Sequence, residues 1–423
     1  MPQQIEVKLF GCQQILIHAD KDVLAILEYL CRESNKIYNC ATYYARQIWF
    51  ITKQIANRAE ICASMVSNPH FGAMYVSSSQ QTCNAVAEAF SSFKELMKAF
   101  SKGELEHKPS PPKYRKSGGL YTISFPVKWL KFTSDGLRIP LGKKVKAWFG
   151  VDCFYLPMPT NLEFKDIKEV RILPRNRCFY AEFVYKLDYA APLLDKLQAL
   201  SIDHGVNNWL TCVDTLGNSF IVDGKHLKSV NQWYNKQIST IKEGKTQGFW
   251  SNKLAAITEK RNRQMRDAIN KAARIVVNHC VKNGIGTIVM GWNPRQKDSA
   301  NMGRKKNQQF VQIPTARLKD RVIQLCEQSG IDFVETEEAN TSVASFLDGD
   351  TLPKHGEKPT GWKASGKRIK RGLYRTAKNW YVNADAQAAA NCLVKVAVRL
   401  GLDLSRIGRG ALTTPLRVRF WAT

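Results

Sequence analysis

An α/β domain preceded by a β-domain with a helical insertion is the architecture this sequence predicts, on three observations. The second half runs strand, hairpin, helices, strand, helix, strand, loop and helix, an order that builds an α/β sheet with covering helices. The first half opens on a strand-like stretch, turns helical near Lys21, and returns to strands from Tyr121 to Asp188. At 423 residues with 44% hydrophobic content, the chain is long enough for two or three domains with cores of their own.

Residues 3–18 alternate like a strand pair. From Lys21 to about Lys102 the apolar residues take helical spacing. Val86, Phe90, Phe93, Leu96, Met97 and Phe100 form a core stripe on the last helix there. Residues 103–119 are a basic, proline-rich connector containing Lys113, Arg115 and Lys116. The strands that follow are marked by turns at Asp135-Gly136, Pro140 and Pro174-Arg175-Asn176. An early strand, a helical insertion and many later strands predict a β-barrel interrupted by a helical lobe.

In the second half, Leu200 to Val213 is a hairpin: an apolar run ends on Asp203, turns through Gly205, and resumes at Trp209. Residues 225–244 and 249–283 are helices. The second interleaves Lys260, Arg261, Arg263, Arg266, Lys271 and Arg274 with an apolar stripe, which suits either a solvated face or phosphate contacts. Residues 286–291 are a short buried strand, and 313–329 a helix beginning near Pro314. Ile331 to Glu338 is a strand-like run ending in acids. Asn383-Ala384-Asp385 opens a helix through Leu400, where a first-turn carboxylate also suits the helix dipole.

Three separated segments thus deliver carboxylates at strand ends or a helix start. One Asp-x-Gly by itself is an ordinary turn aspartate bonding its own backbone. Three together suit a divalent-metal phosphodiesterase, since Mg²⁺ takes oxygen ligands and two such ions clamp the attacking and leaving oxygens. The charge agrees: 63 Lys+Arg against 36 Asp+Glu gives a formal net +27, which calls for a polyanionic partner. Nucleic acid is the leading partner, an anionic membrane surface the second. No run of eighteen apolar residues and no signal-peptide pattern occurs, so the expectation is a soluble, intracellular protein. The eleven cysteines include no Cys-x-x-Cys pair, hence neither zinc-ribbon spacing nor a disulfide framework.

Residues 201–208, Ser-Ile-Asp-His-Gly-Val-Asn-Asn, resemble the first RuvC motif of the TnpB family, transposon-encoded RNA-guided nucleases related to type V CRISPR effectors. Residues 383–389 resemble that family's third RuvC motif, and the blocks at 303–314, 341–348 and 365–374 agree with it. The resemblance implies a ribonuclease H-like (RuvC) nuclease domain preceded by a wedge-type β-barrel with a recognition-lobe insertion. Its boundaries would be 1–20 and 104–195 for the barrel, 21–103 for the helical lobe, 196–340 and 379–423 for the nuclease domain, and 341–378 for a basic target-strand-loading insertion. Many family members carry a four-cysteine zinc ribbon in that last place; here it has no cysteine, so no zinc is expected.

One departure bears on mechanism. The family's second catalytic glutamate ends the strand 286–290, where this chain has Gly291. Either the site is dead, or a glutamate one strand over replaces it. Parallel neighbouring strands lie about 4.8 Å apart, and a subgroup with a relocated glutamate resembles Glu337-Glu338 here. Side chains alternate along a strand, so one of the two is expected to ligate, with Glu338 preferred. The resemblance thus implies Asp203, Glu338 (or Glu337) and Asp385 as catalytic, with Asp203, Glu338 and Asp385 binding a pair of Mg²⁺ ions, or Mn²⁺. Nucleic-acid contacts are expected from Lys113, Arg115 and Lys116, from Arg304, Lys305 and Lys306, and from Lys367, Arg368, Lys370, Arg371 and Tyr374. Asp348 and Asp350 are expected to serve a turn and as salt-bridge partners for the basic loop rather than to bind a metal.

The implied partners are a guide RNA of the omega-RNA kind and target double-stranded DNA, with pairing supplying sequence specificity. The implied location is the prokaryotic cytoplasm, at the nucleoid when bound to target. The alternatives are a nuclease-dead, guide-directed DNA binder such as a repressor, a miniature CRISPR effector, and a DNA transposase acting without RNA.

Overall fold

The computed structural model describes residues 9–187, 192–293 and 313–421. Contacts divide the chain into two compact units, Met1–Asp188 and Tyr189–Thr423.

The first unit begins with β1 (Leu9–Leu16), followed by helices α1 (Lys21–Thr52), α2 (Arg58–Met65) and α3 (Val76–Ser101). Each start has a local cause. The Asp20 side chain caps α1 by accepting from Val23 N, and Asn57 with Glu60 forms a reciprocal capping box on α2. The α3 stripe is buried at Val86, Phe90 and Phe93 and then emerges, with Leu96 half exposed in the last turns. Next come β2 (Ile123–Pro126), β3 (Lys131–Thr133), β4 (Gly136–Pro140), α4 (Lys143–Phe149), β5 (Cys153–Leu156), β6 (Ile167–Arg175) and β7 (Cys178–Leu187).

Of the expected strand pair over residues 3–18, residues 3–8 lie outside the described residues; the described part, β1, pairs antiparallel with the distant β7, Leu16 opposite Tyr180. The expected barrel is corrected. Among the described residues the strands form a four-stranded sheet, β1-β7-β6-β2, and a separate three-stranded sheet, β3-β4-β5, rather than one closed barrel. Pro126 ends β2 and the chain turns through Val127–Trp129, so the next strands start a new ladder. The turn between β6 and β7 places Asn176 and Arg177 at φ 45° and 63°, the paired positive values of a tight hairpin that matches strand twist. Phe90 of α3, Phe125 of β2, Ile172 of β6 and Phe183 of β7 share one core.

The second unit carries β8 (Asp195–His204), β9 (Asn208–Asp214), β10 (Ser219–Asp223), α5 (Lys225–Lys242), α6 (Asn252–Lys282) and β11 (Ile285–Gly291). After residues 294–312 come α7 (Thr315–Ser329), β12 (Asp332–Thr336), β13 (Lys367–Lys370), β14 (Leu373–Arg375), β15 (Tyr381–Asn383), α8 (Ala384–Leu400), α9 (Arg409–Thr413) and β16 (Leu416–Val418). The main sheet has the order β12-β11-β8-β9-β10-β16. β8 and β9 form the expected antiparallel hairpin, while β11 runs parallel to both β8 and β12.

Alternation along the strands sorts this sheet into two faces. Leu200, Ile202, Ile288 and Met290 pack against Met265 and Val276 of α6 and Leu318 and Val322 of α7. Ala199, Val213 and Val289 pack on the other face against Ala386, Ala389 and Leu393 of α8. The small α8 residues allow close approach, and the buried Ser201 hydroxyl lies 2.6 Å from the Ala389 carbonyl on that helix. Odd-numbered positions of β8 and β11 therefore face α8. Asp203 and Gly291 are odd-numbered. No helix among the described residues is long and apolar enough to cross a membrane.

Candidate functional site

Asp203 stands near the end of β8, paired with Thr211 of β9, on the face that α8 covers. Burial first, then the charges of Glu338 and Asp385, push its carboxyl well above the usual carboxylate range, while Arg368 pulls the other way. Charges from the segment after β12 and from the start of α8 thus act on the carboxyl near the end of β8.

Glu338 reaches the site across the gap left by glycine. β12 lies parallel beside β11, with Gly291 opposite Thr336, and the chain leaves the strand just before Glu337. A Cβ on Gly291 would stand 2.8 Å from Glu338 Cγ and 2.9 Å from its Oε1. The glutamate side chain thus fills the space that any other residue at 291 would occupy. Asn293 Nδ2 donates to Glu338 Oε2 at 3.1 Å, and Glu338 N donates back to Asn293 Oδ1 at 3.3 Å. His204 Nδ1 is 3.2 Å from Glu338 Oε1 but off the line of a hydrogen bond. Behind the glutamate, Asn391 of α8 holds the carbonyls of Thr341 and Ala344, and Gln387 also donates to Ala344.

Glu337 turns elsewhere. It accepts from Lys395 Nζ at 2.6 Å and from His355 N at 3.1 Å. Desolvation would raise its carboxyl, yet the Lys395 and His355 hydrogen bonds outweigh this and hold it below the ordinary value. Of the two candidates, Glu338 has its charge on Asp203.

Asp385 is set by the start of α8. Asn383 caps the helix by accepting from Asp385 N and Ala386 N, both at 3.0 Å. Asp385 Oδ2 accepts from Asn208 Nδ2 at 2.7 Å, and Oδ1 from Arg368 at 3.1 Å. Asn208 stands in the quoted motif at 201–208, and sequence reasoning gave it no role. Cys392, wholly buried on the same helix, has its thiol pushed up by burial and then by Asp203 and Glu338.

Hard carboxylate oxygens are the donor set that Mg²⁺ takes. Among the described residues, however, no three His, Cys, Asp or Glu side chains are gathered closely enough to hold an ion as they stand. Asp385 is engaged by Asn208 and Arg368, and Glu338 by Asn293. The set fits such an ion in chemistry and charge, and would have to close around it.

The expected nucleic-acid contacts divide. Lys113, Arg115 and Lys116 are exposed, as are Lys367, Arg368, Lys370 and Arg371. Arg115 is partly occupied by its own unit, its guanidinium 4.3 Å from the Tyr121 ring centroid. Arg304, Lys305 and Lys306 lie outside the described residues. The basic loop is partly a sheet, β13-β14-β15, whose Arg368 is turned to Asp385. Tyr374 is a correction: it is fully buried, in the core under α8, with its hydroxyl donating to Val343 O at 2.9 Å. Alternation in β14 points it inward, so it offers no face to a base. Tyr374→Phe should therefore cost about 1 kcal/mol of stability by losing that bond, leaving RNA affinity unchanged. A urea midpoint and a filter-binding curve check this; weaker RNA binding at unchanged stability would contradict it.

Asp348 and Asp350 hold turns, through backbone amides and serine hydroxyls rather than through the expected salt bridges to the basic loop. Asp350 accepts from Ser345 N and Ser365 N and from the Ser365 hydroxyl, while Asp348 accepts from Ser345 Oγ and Ala377 N. These bonds join the two ends of the insertion.

The OrfB_IS605 family model, described as a probable transposase, matches residues 182–296, which include Asp203 and Gly291. A Cas12f1 structure, determined with sgRNA and target DNA, is similar at 16% identity and a TM-score of 0.50, over 88% of this chain and 83% of that one. That likeness is one of fold. The structure of a mini RNA-guided endonuclease, CRISPR-Cas_phi3, matches at 12% identity with a TM-score of 0.34 over 92% of each chain, too slight to bear on the fold. A search of curated proteins found no match.

Proposed function

We propose that the chain is TnpB-like, an RNA-guided DNA endonuclease with a Mg²⁺-dependent RuvC-like site, a reading supported by the family-model match over residues 182–296 and the likeness of fold to Cas12f1. The observation that carries this reading is Glu338 lying over Gly291, with its charge and that of Asp385 acting on partly buried Asp203. A chain that had merely lost its second carboxylate would have no reason to place another acid in the vacated space. In this reading Asp203, Glu338 and Asp385 would hold the ions. Bound there, Mg²⁺ would supply an activated water and neutralise charge building on the phosphate. Asn208 and Asn293 orient Asp385 and Glu338 through the bonds described. Arg368 offsets the acids until the site is used. Hydrolysis would leave a 3′-hydroxyl.

The first unit would supply the wedge domain and recognition lobe, and residues 341–378 the target-strand-loading insertion. A guide RNA of the omega-RNA kind would pair with double-stranded target, and the net charge of +27 supports such polyanionic partners. The cytoplasm, at the nucleoid, is the location that fits this task.

The test is expression of the full chain with its flanking RNA. Asp203→Ala should co-purify with that RNA as the parent does and lose detectable cutting of a matched target. Recovery of the parent free of RNA, with no affinity for it, would refute the reading. RNA-bound parent that leaves matched DNA intact at millimolar Mg²⁺ would instead identify a guided binder.

A further inference from the structure

We infer that Arg417, at the far end of the chain, is a positioning residue for the acidic site, acting through Asn208. Four side chains form a line. Asp223 Oδ2 accepts from Arg417 Nη1 at 2.7 Å, Arg417 Nη2 donates to Asn208 Oδ1 at 3.0 Å, and Asn208 Nδ2 donates to Asp385 Oδ2 at 2.7 Å. The members come from β10, β16, β9 and the start of α8, so the line spans the sheet edge and ends on a proposed metal ligand.

The register brings them together. β16 runs parallel to β10 with Arg417 beside Ile221, and Asp223 is two residues further along β10, on the same face. A shift in the β10–β9 ladder between Val222 and Asp223 puts Asp223 opposite Asn208. The side chain of Asp223 is 2% exposed, and its other oxygen accepts from Lys225 N at 2.7 Å. The first member is therefore fixed before the line begins.

Its chemistry allows one polarity. A carboxamide can turn over and exchange its oxygen and nitrogen with little change of shape. Arginine has donors and no acceptor, and an ionised aspartate has acceptors and no donor. With Arg417 on one side and Asp385 on the other, Asn208 must present Oδ1 to the first and Nδ2 to the second. Without the guanidinium, the amide is free to turn its oxygen towards the Asp385 carboxylate and release it. The planar fork of Arg417 touches Asp223 and Asn208 at once, a geometry that a lysine ammonium does not reproduce.

This deepens the nuclease reading and rests on it where metal affinity is concerned; the side-chain line itself is tested separately. The full chain, labelled with ¹⁵N at asparagine, should give a resolved, slowly exchanging side-chain amide pair, assigned to Asn208 by its loss in Asn208→Ala. Arg417→Lys keeps a positive charge beside buried Asp223 and so guards the fold, which the thermal midpoint checks. In that variant the Asn208 pair should move and exchange faster. Mn²⁺ binding, read by electron paramagnetic resonance with Mn²⁺ alone, should weaken by about tenfold or more, as removal of outer partners of metal ligands does. Asn208→Ala should weaken it as much, and the double variant no further, since the two act in series. An unchanged amide pair in Arg417→Lys overturns the inference, as does a moved pair with unchanged Mn²⁺ affinity. A parent that binds no Mn²⁺ withdraws the nuclease reading, and the amide pair then decides the line of contacts by itself.

Discussion

Glu338→Gln should reduce cutting of a matched target about a thousandfold, ~4 kcal/mol of barrier at about 1.4 kcal/mol per decade, while Glu337→Gln stays within a few-fold of the parent. The two residues are neighbours of the same chemistry, and their surroundings separate them. Glu338 lies over Gly291 with its charge on Asp203, whereas Glu337 is engaged by Lys395. Glutamine preserves the size and the Asn293 contact and removes the anionic ligand. Single-turnover cleavage rates and RNA affinity, measured on both variants, make the comparison. Equal loss in the two, or full activity in both and in the double variant, would remove Glu338 from the site.

Gly291→Ala should lower cutting about a hundredfold, the scale on which a misplacement of ~1 Å acts, with little change in the thermal midpoint. The added methyl would stand 2.8 Å from Glu338 Cγ and 3.2 Å from Cys392 Sγ. Both are side-chain atoms, and the glutamate can swing aside, so the fold absorbs the change while the carboxylate loses its place. Gly291→Glu in a Glu338→Ala background supplies a carboxylate from the strand itself and should recover part of the lost rate. Full activity of Gly291→Ala would mean that Glu338 does not work from above the glycine.

Local pattern carried much of this architecture. The Asp203 hairpin, the parallel strand ending near Glu337, and the helix opening at Asp385 depend on alternation, helical spacing and caps, each written within a dozen residues. The vacancy at Gly291 was legible only through the resemblance, against the family's usual glutamate position, since no neighbouring residue marks it. The preference for Glu338 had no local pattern behind it, since the chain has left β12 and alternation no longer orders the pair. Tyr374 was misjudged because its basic neighbours suggested a surface, while its burial depends on α8, which comes later in the chain. The pairing of β1 with β7 and the contact of Arg417 with Asn208 join segments far apart in sequence, and no periodicity records such meetings.

The most direct test of the whole account is cleavage of matched double-stranded DNA by the parent protein, purified with its co-expressed RNA, at millimolar Mg²⁺ and again after chelation. The account predicts cut DNA with 3′-hydroxyl ends, dependent on the RNA match and absent with chelator. Intact DNA from an RNA-loaded, target-bound protein would contradict it.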